Sequence, residues 1–175
     1  MAGGITIPGD WDDWRWSGRG RDTGPTPPSF LEFAGSGIFC WQFINARELH
    51  FSDLQLPHDY KEGTDLVPHI HWAPTTTGTY TGTWTLNLIG WLTIATGEPV
   101  TAVQTVTAAF NGSLTANQMQ SQNFSDVIPG AGRKISSIIH ARLALSLTAG
   151  ASCALCGLDA HYQVDRLGSR QVATK

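Results

Sequence analysis

The sequence predicts an all-β protein, a jelly-roll-like sandwich of about eight strands that follows an extended N-terminal arm. From residue 36 onward, short runs of alternating apolar and polar residues are separated by Gly, Pro, Asn and Asp, which is typical of strands joined by turns. Helical periodicity is almost absent, and residues 113–124, which lack Pro and Gly, form the one stretch that could be a helix. In a jelly roll, two four-stranded sheets bury a shared apolar layer, and residues 36–175 provide enough chain for that domain.

The runs that alternate most clearly are predicted as strands, and one of them shows which face is buried. In residues 134–148 apolar and polar side chains alternate, so we expect five side chains to point inward: Ile139, Ala141, Leu143, Leu145 and Leu147. The turn signal Asn111-Gly112 is expected to end the preceding strand. The predicted strand runs are residues 37–43, 46–56, 66–74, 75–94, 100–110, 134–148 and 155–168.

Residues 1–35 differ from the rest of the chain and are predicted to form the arm. The segment is dense in Gly and Pro and has no sustained period, and its prolines exclude a helix. It nevertheless holds three tryptophans, whereas disordered segments are poor in aromatic residues. We therefore expect burial either on the arm's own domain or on a neighbouring subunit, and both interpretations stay open. The candidate interface residues of the arm are Trp11, Trp14, Trp16 and Arg15.

Charge is scarce in this chain. Charged residues make up 14% of the sequence, against roughly 25% in an average soluble protein. Because a surface poor in charge is often covered by another subunit, we expect a homo-oligomer. The net charge of -3 argues against a nucleic-acid partner, and no apolar run reaches the roughly 18 residues of a membrane span. The first residues lack the pattern of a secretory signal, so folding in a cytoplasm is expected.

The three cysteines are expected to be structural. An odd number speaks against a disulfide framework. Cys153 and Cys156 form a C-x-x-C, but no second pair exists to complete a zinc site. Since apolar and small residues surround both, we predict that they are buried small hydrophobes.

The histidines raise the question of a metal site. His69 and His71 lie two apart in a predicted strand, so both imidazoles face one side, and His58 or His161 could add a third ligand. Cupins use such a His-x-His pair followed closely by a Glu ligand, but no carboxylate follows His71 before residue 98. The favoured prediction is therefore that the rings hydrogen-bond to backbone groups or to nearby carboxylates, for which the candidates are Asp59 and Asp65. Metal binding is the minority interpretation.

No catalytic pattern stands out, so the sequence predicts a protein that is not an enzyme and has no cofactor. A G-x-S-x-G elbow and a P-loop are both absent, and no carboxylate pair suggests a glycosidase. Asp159 and Asp165 flank His161 on one strand face, which could orient an imidazole as a base. The same pattern is more typical of a polar sheet face.

Two motifs carry a resemblance. "LQLPHDYKEGTDLVPHIHW" at residues 54–72 and "HYQVDRLGSR" at residues 161–170 are similar to motifs of a family of tailed-bacteriophage virion proteins. The resemblance implies a jelly-roll decoration or cement protein, a trimer bound to the major capsid protein on the head surface and assembled in the host bacterial cytoplasm. The residues taken as the structural motif are Pro57, His58, Asp59, Asp65, Pro68, His69, His71 and Trp72.

Two functions from other classes remain as alternatives. The first is a tail or fibre component that binds a receptor glycan, with Trp91 as the candidate for stacking on a sugar. The second is a cupin-like enzyme with a metal held by residues among His58, His69, His71 and His161.

Overall fold

The computed structural model describes residues 11–16, 20–21, 27–92, 104–148 and 150–165, and these form eleven strands. Within these ranges there is no helix, and hence none long and apolar enough to cross a membrane. The strands are β1 (Trp11–Arg15), β2 (Gly20–Arg21), β3 (Ser29–Glu32), β4 (Phe39–Phe43), β5 (Arg47–Gln55), β6 (Val67–Pro74), β7 (Gly78–Leu92), β8 (Gln104–Leu114), β9 (Gln120–Asn123), β10 (Ile138–Leu147) and β11 (Cys153–Gln163).

Two antiparallel sheets form the sandwich. The first sheet has the order β3-β4-β11-β6-β9, with β1 paired to β11, and the second has the order β2-β5-β10-β7-β8. From β4 to β11 the chain crosses repeatedly between the sheets. The four strands β4-β11-β6-β9 of the first sheet therefore face the four strands β5-β10-β7-β8 of the second. This is the winding of a jelly roll, and the predicted fold class is confirmed.

Strand faces follow the predicted alternation where the period of two is strongest. All five residues predicted to point inward from β10 are buried, and β10 pairs with β5 on one side and β7 on the other. Large aromatic side chains fill the space between the sheets: Trp84 lies 5.1 Å from Phe43 and 6.2 Å from Trp72, measured between ring centroids. The core therefore combines residues from both sheets.

The turn predicted at Asn111-Gly112 is wrong. Strand β8 continues through both residues to Leu114, because β7 supplies backbone partners along this whole stretch. Thr81 lies opposite Asn111 and donates a 2.9 Å hydrogen bond to its side-chain oxygen. Residues 113–124 are also not a helix, since they contain the end of β8, a turn and β9. Long-range pairing outweighs the local signal in both places.

The described parts of residues 1–35 lie against the sandwich of the same chain. Strands β1, β2 and β3 extend β11, β5 and β4, respectively. Trp16, directly after β1, is only 3% exposed and contacts Phe51 of the second sheet at 6.3 Å between ring centroids. Residues 1–10, 17–19 and 22–26 of the arm lie outside the described part of the chain.

Candidate functional site

A cluster of histidines and aspartates lies on the outer face of the first sheet. Along β6, Pro68, Ile70 and Trp72 are buried, and the alternation turns His69 and His71 to the opposite side. The register then places acidic residues beside them, with His69 opposite Asp159 of β11. One strand further, His161 lies opposite Asp13 of β1. We call His69, His71, Asp159, His161 and Asp13 the histidine cluster.

Asp159 is the centre of this cluster. Its Oδ1 lies 2.9 Å from Nε2 of His69, and its Oδ2 lies 3.4 Å from Nε2 of His71. Asp159 is 3% exposed and His69 is 5% exposed, whereas His71 is half-buried. One carboxylate therefore faces two imidazoles in a site largely removed from water.

Burial sets the charge state of His69. Removal from water lowers the pKa of this imidazole, and the Asp159 carboxylate only partly opposes the effect. The pKa of His69 therefore lies below its usual value, which favours the neutral ring. A neutral imidazole keeps a free nitrogen lone pair, which can accept a hydrogen bond or bind a cation.

Hydrogen bonding in the cluster is incomplete. Oδ1 of Asp159 is buried, and its approach to His69 does not have the geometry of a hydrogen bond. Nδ1 of His69 and Nδ1 of His71 are also buried with no hydrogen-bond partner among the described residues. Buried polar atoms without a partner are uncommon in proteins, and three of them lie together in this cluster.

His161 supports the cluster from one side. Its ring stacks on that of His69, with centroids 4.4 Å apart and planes 16° apart. Its Nδ1 contacts the Asp13 carboxylate, and both of these side chains are partly exposed. His161 therefore fixes the orientation of His69 and has its own acidic partner.

His58 lies outside the cluster. Its Nε2 is 3.2 Å from Oγ of Ser136, in the segment before β10. Of the four histidines considered as ligands in the sequence, the structure thus brings three together: His69, His71 and His161.

For His69, His71 and His161, the carboxylate partners are not the expected Asp59 and Asp65. Asp65 accepts a 2.9 Å hydrogen bond from the backbone N–H of Gly130, and Asp59 accepts one of 3.1 Å from the Tyr162 hydroxyl. The acidic partner of His69 is Asp159, and that of His161 is Asp13. The sequence did place Asp159 on the outward face of the last strand, but the register that sets it beside His69 joins segments far apart in the chain.

The loop of the first motif is held by backbone contacts. Tyr60 bridges to Val164 and donates a hydrogen bond to the Thr64 carbonyl, and Leu66 bridges to Ile128. A Cβ at Gly130 would lie 1.7 Å from the Thr64 carbonyl oxygen, so only glycine fits there. Among the remaining motif residues, Pro57 and Pro68 accept backbone hydrogen bonds and Trp72 lies in the core.

The cysteines differ from the prediction in one respect. Cys153 is buried, and burial raises the pKa of its thiol to about 12. Cys156 is exposed, because a spacing of three in a strand puts the two residues on opposite faces. Desolvation, together with the neighbouring Cys40 thiol on β4, raises the pKa of the Cys156 thiol to about 11.

Exposed apolar side chains concentrate in the β3–β4 hairpin, residues 29–44. One face of β4 carries Phe39, Trp41 and Phe43, and the burial of these side chains increases along the strand. Phe43 is fully buried, Trp41 is half-buried and Phe39 is 56% exposed. Other large exposed hydrophobic residues of the hairpin are Phe30, Leu31, Ile38 and Ile44.

A groove of about 360 Å³ lies where β8 and β9 approach each other. Phe110, Asn111, Gln120 and Gln122 are among its lining residues, so it combines an aromatic ring with amide groups. The side chain of Trp91, the residue proposed to stack on a sugar, lies outside the described part of the chain.

The chain resembles solved viral structures only distantly. No protein-family model matches it, and no curated protein does. A chain of the infectious bursal disease virus Gt strain and one of the T13 particle of the same virus are each 18% identical, with a TM-score of 0.34 over 78% of this chain. A chain of the Gx strain is 13% identical, with a TM-score of 0.37 over 93%. The chain spans 36% to 38% of the length of these three, and a likeness this distant assigns no function.

Proposed function

We propose that this chain is a structural protein of a tailed-bacteriophage virion, a decoration or cement protein on the head surface, and that it is not an enzyme. The observation that carries the proposal is the exposed aromatic surface of the β3–β4 hairpin. Exposed apolar patches of this kind mark surfaces that another protein covers. The two motifs at residues 54–72 and 161–170, which resemble those of phage virion proteins, point in the same direction.

The aromatic residues of the hairpin extend from the buried core to the exposed surface of the domain. Phe43 packs edge-on against Trp84 inside the sandwich, and Phe39 lies on the same face of the strand but at the surface. Phe30 joins them, with its ring 5.0 Å from Trp41 and 5.9 Å from Phe39. Aromatic rings already ordered by mutual packing lose little conformational entropy on association, which favours them as interface anchors.

Assembly gives this surface a mechanical role. We propose that the chain forms a homotrimer and that the hairpin and the exposed part of the arm contact the major capsid protein. In the arm, Trp11 is 50% exposed and Arg15 is exposed, so both are accessible to a partner. The free energy of these contacts would oppose expansion of the shell by packed DNA, after assembly in the host bacterial cytoplasm.

A tail or fibre location is the second candidate, and the groove between β8 and β9 supports it. An aromatic ring beside amide side chains offers stacking and hydrogen bonds to a sugar. A reconstruction of the virion, or immunogold labelling with an antibody to this chain, separates the two candidates: density on the head supports the first, and density on the tail overturns it.

A pair of variants tests the surface itself. Phe30→Ser combined with Phe39→Ser should abolish binding to heads that lack the protein, because it removes the stacked rings from the hairpin. Met119→Ser is the matched control, since Met119 is equally exposed but lies outside the hairpin. Sedimentation with heads measures occupancy, and sedimentation velocity measures the oligomer. Full decoration by the double variant would refute the role of the hairpin.

Deleting residues 1–28 would be a poorer test of the arm. The deletion removes Trp16 from the core as well as the exposed Trp11, so loss of binding could follow from unfolding. Trp11→Ala changes only the exposed ring.

A further inference from the structure

We propose that His69, His71 and Asp159 bind one divalent transition-metal ion, for which Zn²⁺ is the probe. This site is independent of the proposed virion role. Two imidazoles and one carboxylate are a donor set that suits zinc, cobalt or ferrous iron, whereas calcium and magnesium prefer oxygen alone. One ligand atom from each of the three residues lies within 4.8 Å of the others.

The two imidazole–carboxylate distances agree with those between neighbouring ligands of one metal ion. At bond lengths of about 2.1 Å, two ligand atoms are ~3.4 Å apart in a tetrahedral site and ~3.0 Å apart in an octahedral one. Nε2 of His71 lies 3.4 Å from Oδ2 of Asp159, and Nε2 of His69 lies 2.9 Å from Oδ1. The widest separation in the set, up to 4.8 Å, exceeds the ~4.2 Å between opposite ligands of one ion, so binding requires a side-chain movement that draws the ligands together.

Hydrogen bonds do not account for the burial of Asp159. Asp159 is only 3% exposed, yet its Oδ1 has no hydrogen bond among the described residues. A buried carboxylate oxygen without a hydrogen bond is costly, and a cation bound to that oxygen would offset the cost directly.

The strands hold the three ligands rigidly. His69 and His71 lie on β6, which is paired on one side to β11 and on the other to β9. Asp159 lies on β11 between β6 and β1. The ring of His161 stacks on His69 and is anchored by Asp13, so it acts as a positioning residue. Three protein ligands leave at least one coordination position for water or another donor.

Direct titration tests the site. The full chain, stripped with a chelator and desalted, is titrated with Zn²⁺ by calorimetry and with Co²⁺ by ligand-field absorption. We expect one equivalent per chain and a rise in the midpoint of thermal unfolding on addition of Zn²⁺. His71→Ala, chosen because His71 is the least buried ligand, should weaken affinity more than about 100-fold, beyond the 10–100-fold typical of an outer-shell partner.

Two further variants make the outcome decisive. Asp159→Asn keeps the shape of the side chain and should lose binding to a similar extent. His140→Ala removes a half-buried histidine from β10 in the other sheet and should bind as the unaltered chain does. Circular dichroism checks that each variant is folded. No saturable binding to the unaltered chain, or binding by folded His71→Ala and Asp159→Asn as tight as that of the unaltered chain, would overturn the proposal.

Discussion

Strand β11 has two neighbours along one of its edges, and the two ends of that edge differ in what they bury. At one end β1 pairs with Asp159–Gln163, and a carboxylate and an imidazole, those of Asp159 and His69, are buried there. At the other end β4 pairs with Cys153–Leu155, and the hairpin that it forms with β3 leaves aromatic rings at the surface. The β1 end thus buries polar side chains, although buried positions are usually apolar. The β4 end exposes apolar side chains, although exposed positions are usually polar.

The difference follows from how much of each neighbouring strand pairs with β11 and packs against the core. Strand β1 stays in register with β11 for five residues and is followed by Trp16, which closes against the core. Strand β4 pairs with β11 for three residues, and the rest of the hairpin continues outward. Each end therefore departs from the usual burial of its residues, and we propose a different kind of partner for each: a cation at the first and a protein surface at the second.

The largest effect is expected at the end closed by β1. Trp16→Ala should lower the free energy of unfolding by about 3–5 kcal/mol, because it removes a large ring from the core. Trp11→Ala, on the same segment but half exposed, should change it by less than ~0.5 kcal/mol. Urea denaturation of both variants measures the difference. Equal, small losses would mean that this segment does not close its own core and would favour docking on a neighbouring subunit.

An intermediate effect is expected from metal binding in the histidine cluster. Zn²⁺ at a hundredfold excess over its dissociation constant should raise the free energy of unfolding by about 2.7 kcal/mol, and chelation should remove that gain. Asp159→Asn should abolish the gain, whereas His140→Ala should keep it, because His140 lies on β10 in the other sheet and is not a ligand. If both variants retained the full gain, the ion would be bound elsewhere and the buried end of the edge would need another explanation.

The fold could be predicted from the sequence because its signal is local. The alternation in β10 shows its inward face directly, since successive side chains of a strand point to opposite sides. The spacing of the two cysteines also shows why the prediction that both are buried failed. Cys153 and Cys156 are an odd number of residues apart, so one strand cannot bury both on the same face.

The site could be predicted only in part because its contacts are not local. His69 and His71 were recognisable as a pair on one face, but their carboxylate comes from β11, and the register between β6 and β11 shifts between Leu155 and Gly157. No pattern within either segment reports such a shift. The turn at Asn111-Gly112 failed for the same reason, since pairing with β7 extends β8 past a sequence that would otherwise turn.

The smallest effect on stability is expected at the exposed hairpin. In the unassembled chain, Phe39→Ser should lower the free energy of unfolding by no more than about 1 kcal/mol, the worth of its aromatic contact with Phe30. Phe43→Ala, four residues away on the same face, should cost about 3–5 kcal/mol because that ring is fully buried. Thermal or urea unfolding gives both values, and sedimentation gives the loss of association expected for Phe39→Ser alone. Should Phe39→Ser destabilise the single chain as much as Phe43→Ala, the ring would belong to the core, and the two ends of β11 would no longer differ in what they leave for a partner.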